Sequence, residues 1–313
     1  MKLLNSLCLV VFCTALSGNV LADEPLALGV IEAQPAANAP SGSPAIAQLR
    51  LAFQYQRGTW TAICEGKSSS SRNDGCALER ASQRRKWSVF FNGRSIGQVE
   101  TQGWRSSDYD SFTGALTITT SPIPTVADSL VPFSSWVGEA TRRPLVAVTS
   151  PQAGRDKPVW RREAPGSDDA VAVWPLFKAR VPTIPNCKFS DDGKPLGKDR
   201  PSGFADVVVF DRVRLSQGGY LLAVRAKGAE ECDESGGFTS DMWVMKPATG
   251  AAFALEGFDT TGWPYSLNLV DVGAFTRDSS IQAVFFYAGY NEDGYVIYYD
   301  GFRKIARFTW GYH

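Results

Sequence analysis

Apolar residues along most of this chain come in short runs separated by Asn, Asp, Gly and Pro, the pattern of strands joined by tight turns. In "WSVFFNGRSIGQVET" two such runs flank Asn92-Gly93, and both residues tolerate the positive φ of a type I′ hairpin turn. Three further hairpins are predicted. "ADVVVFDRVRLSQGGYLLAVRAK" turns near Gly218-Gly219, "MWVMKPATGAAFALEGF" near Thr249-Gly250, and "AVFFYAGYNEDGYVIYYDGF" around Asn291 and Gly294. No long stretch keeps helical periodicity without Gly or Pro inside it.

The expected fold is therefore all-β and antiparallel. Several strands are apolar on both faces: in "AVFFYA", Phe285 and Tyr287 point one way and Val284 and Phe286 the other. Such strands need cover on both sides, as in propeller blades or a layered sandwich. The late hairpins begin at Val207, Met242 and Ile281, close to the roughly 40-residue period of a blade. A propeller-like arrangement is thus expected, with a large β-sandwich as the alternative. The stretch from Ser121 to Pro201 is Pro-rich and irregular, and no sequence repeat accompanies the spacing.

The ends read differently. Residues 1–22, "MKLLNSLCLVVFCTALSGNVLA", have one Lys, an apolar run and a Val20-Leu21-Ala22 end, the grammar of a secretory signal cleaved near Ala22. Ser6, Thr14, Ser17 and Asn19 interrupt the run, which argues against a membrane span. Phe12 is bulky where lipoprotein processing at Cys13 would want a small residue. A periplasmic or secreted protein is expected. Residues 23–45, rich in Ala and Pro, read as a flexible spacer, and residues 46–313 as a single β-rich domain.

Export changes the reading of the cysteines. Cleavage would leave Cys64, Cys76, Cys187 and Cys232 in an oxidising compartment. Of the three possible pairings, Cys64–Cys76 and Cys187–Cys232 are favoured because each encloses a polar, turn-rich insertion. A metal site would need close C-x-x-C pairs with His, which are absent from the sequence. Thirty-two basic residues balance 32 acidic ones, so no global field draws the chain to nucleic acid. The densest basic cluster, Arg80, Arg84, Arg85 and Lys86, reads as a solvated approach to a strand.

The stretch "GYNEDGYVIYYD" invites comparison with a twelve-residue calcium loop. Gly294 at its sixth position puts Asn291 third, Asp293 fifth and Asp300 twelfth. The first ligand position is then Gly289, which has no side-chain oxygen, and "YVIYY" favours a strand over an exiting helix. The wider segment "NLVDVGAFTRDSSIQAVFFYAGYNEDGYVIYY" (residues 268–299) resembles the acidic-loop hairpins of FG-GAP or VCBS-type repeats. That resemblance implies a β-propeller, Ca²⁺ in the loops, and a role in adhesion or in protein and glycan contact. Here Asp278 matches an acidic position, but Ser279 replaces a Gly, Ile281 intrudes, and Gln282 stands for the last acid. Too few hard oxygens remain for a dication, so neither metal nor cofactor is expected unless Asp271, Asp278 and Asp293 converge.

Catalytic motifs fare no better. Ser95 lies in "GRSIG", a literal G-x-S-x-G, with His313 downstream, but a strand continues after the Asn-Gly turn where a hydrolase needs a strand-to-helix elbow. "GKPLGK" (residues 193–198) is one residue short of a P-loop. Asp108, Asp110 and Asp241 are acids beside aromatics and suit a carboxylate pair. Nine Trp and ten Tyr are a generous supply, and Trp104, Trp136 and Trp263 sit in Gly-, Ser- or Pro-containing segments. Flat rings with a polar edge suit sugars or protein partners. The expected function is an exported, non-enzymatic binding or structural module of the cell envelope. Its ligand would be a glycan or an envelope protein, held by Trp104, Trp136, Trp263, Asp108 and Asp110. The alternative is a carboxylate-dependent glycoside hydrolase.

Overall fold

A computed structural model of the chain describes residues 26–34, 46–63, 85–106, 114–119, 133–134, 140–141, 143–149, 157–186, 197–227, 241–255, 266–289 and 292–311. The first half contributes β1 (Leu26–Gln34), β2 (Ile46–Gln56), β3 (Thr59–Ala62), β4 (Arg85–Phe91), β5 (Arg94–Ser106), β6 (Gly114–Ile118), β7 (Phe133–Ser134), β8 (Ala140–Thr141) and β9 (Leu145–Val148). Then come β10 (Trp160–Glu163), α1 (Ser167–Arg180), β11 (Thr183–Ile184), β12 (Arg200–Pro201), β13 (Val207–Leu215), β14 (Tyr220–Ala226), β15 (Met242–Lys246) and β16 (Phe253–Ala254). The last strands are β17 (Ser266–Gly273), β18 (Gln282–Gly289), β19 (Glu292–Tyr299) and β20 (Lys304–Gly311). Among the described residues every strand pairing is antiparallel, as the alternation predicted.

The order β1-β9-β4-β5-β6-β2, with β2 pairing back to β1, closes six strands into a barrel, and β3 hangs from β2. One buried cluster takes Ile31, Leu49, Trp87, Val99, Leu116 and Ala147 from all six strands, so it is the barrel interior. Inside it the Trp87 indole N–H donates to the Thr101 hydroxyl at 2.8 Å, which removes the cost of burying an unmatched donor. Residues of opposite parity, such as Val30, Phe90 and Val146, face outward onto Val270, Val284 and Ile297 of the β17–β20 meander. The meander's other face, with Leu269, Phe285 and Val296, packs on Val213, Leu221 and Trp243 of the sheet β10-β13-β14-β15-β16. Val173 and Phe177 of α1 cover that sheet's far side through Leu222, Val224 and Val244. Strands with two apolar faces thus lie between layers, and each large buried side chain contributes about 1.5–3 kcal/mol. The two later sheets, of five and four strands, stack face to face, and the layer beside them is a closed barrel.

Two sequence expectations need correction. The spacer contains a strand: β1 pairs with β2 from Leu26↔Tyr55 to Gln34↔Ile46 and with β9 from Leu28↔Val148 to Ile31↔Leu145. Its alternation is real, with Ile31 in the barrel and Leu28 and Val30 on the meander, but Ala- and Pro-rich flanks disguise it. The second correction is α1, hidden by Pro175 and by apolar residues spread around the helix, of which only Asp169, Val173 and Phe177 are buried. Their i, i+4, i+8 spacing is a single inward stripe. Asp169 accepts a hydrogen bond from the Gly166 N–H at 2.8 Å, closing the first turn.

The Asn92-Gly93 turn forms as predicted, with φ of 55° and 68°. In the last hairpin Gly289 pairs directly with Glu292, and Gly294 lies within β19 opposite Tyr287 and Thr309. The four-strand meander requires a Gly there, because a Cβ would come within 2.5 Å of the Phe308 carbonyl.

The barrel is keyed to the other layers by its Asn92-Gly93 tip. The Gly93 N–H donates to Asp271 Oδ1 at 2.9 Å, and a Cβ on Gly93 would lie 2.4 Å from the Val272 carbonyl. Gly93→Ala is therefore expected to cost about 2 kcal/mol, from a left-handed backbone and a steric clash together. Urea denaturation monitored by Trp fluorescence measures it, and an unchanged midpoint would show that the tip is not keyed.

Candidate ligand-binding site

The alternation in "VVVFDRVRL" breaks at Phe210. Reading back from Leu215 and Val213, which are buried against the meander, the same phase falls on Asp211. The chain resolves the conflict with a bulge: Val209 pairs with Val224 and Asp211 with Ala223, leaving Phe210 as the extra residue. A bulge re-aims a side chain without ending the strand. Phe210 stays 42% exposed, at the margin where this sheet meets the meander.

Around it the layers supply polar groups. Phe210, Asp241, Met242, Trp243 and Leu267 line a depression of about 10 Å³, room for roughly one water. A ligand would lie across this surface and not inside it. The Arg225 guanidinium sits 3.9 Å from the centre of the Phe210 ring and 3.5 Å from Asp241 Oδ2, so a cation–π contact and a carboxylate hold it in place. The Trp243 indole N–H donates to the Leu267 carbonyl at 2.9 Å, which fixes the ring forming the wall. On β17, Ser266 and Asn268, joined by a 3.2 Å hydrogen bond, alternate with Leu267 and so lie on the barrel-facing side of the meander, away from the depression. Phe210, Asp241 and Arg225 together put an aromatic ring, a carboxylate and a guanidinium at one margin, chemistry that suits hydroxyl-rich or peptide surfaces. A second exposed ring, Phe204, stands edge-on to Trp174 of α1 at 6.0 Å.

The residues singled out in the sequence are spread widely. Asp241, named there beside Trp243, is in the depression. Trp104 lies on β5 opposite Leu116, beside the Gly103 bulge. Trp136, Trp263, Asp108, Asp110, His313 and the cysteines Cys64, Cys76, Cys187 and Cys232 lie outside the described residues, as do residues 1–22. Ser95 is on β5 paired with Phe90, in a strand and not at an elbow.

The three calcium candidates do not converge. Asp271 is opposite Val284 and Asp293 opposite Ala288, four residues further along β18, a separation of about 13 Å. Asp278 is already engaged by the Ser280 N–H at 3.0 Å, the Ser280 hydroxyl at 2.8 Å and the Tyr55 hydroxyl at 3.2 Å. Among the described residues no group of three or more His, Cys, Asp or Glu could hold a metal ion.

Asp271 is a carboxylic acid displaced upward. Its Oδ1 accepts from the Trp160 indole at 2.6 Å, the Gly93 N–H at 2.9 Å and the Val272 N–H at 2.8 Å. Burial nevertheless pushes its pKa up to about 6, against the pull of Arg143 and these donors. A catalytic acid must reach its substrate; Asp271 is 1% exposed and sealed among three layers. Phe210 and Arg225 were missed in the sequence, although the polar residue in the inward phase at Asp211 was a usable sign of the bulge. A scan against protein-family models matched none, and searches of curated proteins and of solved structures found no match to this chain.

Proposed function

We propose that this protein is a non-enzymatic binding or structural module of the cell envelope that recognises a glycan or another protein through the aromatic surface around Phe210. The observation that supports this reading most directly is the bulge that excludes Phe210 from the ladder and sets it beside Asp241 and Arg225. The shallow depression favours contact along a surface over enclosure of a small substrate. Export to the periplasm or beyond rests on the residue pattern of the leader. Among the described residues no helix is long and apolar enough to cross a membrane.

Glycan-array binding of the wild type, followed by calorimetric titration of the best glycan with Phe210→Ala and Asp241→Ala, tests the reading. Losing a central aromatic anchor is expected to weaken binding at least about tenfold. Binding of equal strength by wild type and both variants would remove this surface from the function. Absence of any glycan signal, with a co-purifying envelope protein lost in Phe210→Ala, would move the reading to a protein partner.

A further inference from the structure

The opposite face of the same sheet carries a different chemistry. Register aligns Arg161 with Arg214, Arg214 with Tyr220, and Tyr220 with Lys246, one row across four strands about 14 Å long. Arg161 and Arg214 are directly opposed cross-strand, an arrangement of like charges that destabilises a sheet unless an anion intervenes. Glu163 intervenes in part. Its Oε1 lies 2.8 Å from Arg161 and 3.5 Å from Arg214, and its Oε2 3.8 Å from Arg212. Burial pulls the Glu163 pKa upward, but the Arg161 hydrogen bond and the charges of Arg161, Arg214 and Arg212 outweigh it and hold the group below its usual range.

The inner end of the row is anchored. The Arg212 guanidinium lies 4.0 Å from the centre of the Tyr220 ring and 3.3 Å from Asp169 Oδ2, while Lys246 lies 3.2 Å from Asp169 Oδ1. Four cations thus face two carboxylates, and the surplus sits on the side chains of Arg161 and Arg214, 68% and 51% exposed. Arg161 turns its Nε and one terminal nitrogen to Glu163 Oε1, and Arg214 approaches the same oxygen, so two exposed guanidiniums converge on one oxygen position, the donor chemistry that suits an oxyanion.

We infer that the row Arg161, Arg214, Tyr220 and Lys246 binds the phosphate or sulfate esters of an anionic envelope polymer, with Glu163 as an internal anion that holds the arginines ready. The site does not depend on the Phe210 surface, which lies on the other face. Immobilised dextran sulfate, with neutral dextran as control, is the first probe, and vesicles of phosphatidylglycerol against phosphatidylcholine identify a lipid source of the same chemistry. Wild type and Phe210→Ala are expected to bind the anionic member of at least one pair. Arg161→Gln/Arg214→Gln should bind at least about tenfold more weakly, and Glu163→Gln, which removes the competing negative charge, several-fold more tightly. Circular dichroism checks that each variant is folded. Failure of the wild type on both anionic probes, equal binding by the double Arg variant, or weaker binding by Glu163→Gln would overturn the inference.

Discussion

Truncating Arg50 to Ala is expected to lower the free energy of unfolding by about 3–5 kcal/mol, because it leaves a carboxylate buried without its cation. Arg50 lies between the barrel and the meander with its side chain 2% exposed. Its Nε donates to Glu32 Oε1 at 2.8 Å and its terminal nitrogen to Oε2 at 3.1 Å, a two-pronged pair. The Tyr295 hydroxyl donates to the same Glu32 Oε1 at 2.7 Å, and the guanidinium lies 4.2 Å from the centre of the Trp310 ring. Glu32 belongs to β1, so this network ties the N-terminal strand to the last hairpin across 263 residues of sequence. Urea unfolding of Arg50→Ala, Glu32→Ala and the double variant gives the coupling by a double-mutant cycle. Replacing the whole network with apolar groups, as Arg50→Met/Glu32→Leu/Tyr295→Phe, should recover most of the loss. A single-variant loss below about 1 kcal/mol would show that the pair is solvated and contributes as a surface bridge does.

Asp271 carries the second large effect, and its sign is opposite to that of most carboxylates. The native pKa of about 6 lies above the ordinary 3.8, so the folded state binds more protons than the unfolded chain between these values. Stability is then fully present below pH 3.8 and is lost as pH rises through about 6, by on the order of 3 kcal/mol. Asp206 and Asp278 act the other way. The Arg200 hydrogen bond holds Asp206 low; at Asp278 burial pulls upward but is outweighed by hydrogen bonds from Thr276 and Ser280. Their contributions are present above the ordinary carboxylate range and fade as pH falls below it. Together these predict maximum stability in mildly acidic solution. Asp271→Asn keeps an acceptor for Trp160 and Gly93 but does not ionise, so its stability should stay nearly flat from pH 4.5 to 7.5 while that of the wild type falls. Denaturant titrations at several pH values compare the two, and parallel profiles would dismiss Asp271 as the titrating group. Asp271→Ala should be less stable at every pH, because the Trp160 indole and the Gly93 amide lose their buried acceptor.

How much of this was legible in the chain varies with the range of the interaction. The Asn92-Gly93 turn and the β13–β14 hairpin were visible because their determinants are local: positive-φ residues between runs of period two. Strands apolar on both faces announced interior layers. β1 was hidden although its longest pairing, with β2, is nearby in sequence, because short alternation inside an Ala- and Pro-rich stretch reads as a spacer. α1 was hidden by Pro175, whose cost is offset by the packing of Val173 and Phe177 against the sheet. The candidate site was half visible: Asp241 beside Trp243 was noticed, while Phe210 needed the bulge and Arg225 needed the cross-strand register.

By itself the sequence determined the all-β antiparallel class and the turns at Asn92-Gly93 and Gly218-Gly219, because alternation and turn chemistry act over a few residues. Tertiary structure alone decided that six strands close into a barrel and that Asp271 meets partners 111 and 178 residues away. It also decided that arginines from separate segments share one row. Register between distant strands is set by the sum of many buried contacts, and no single stretch of residues contains that sum.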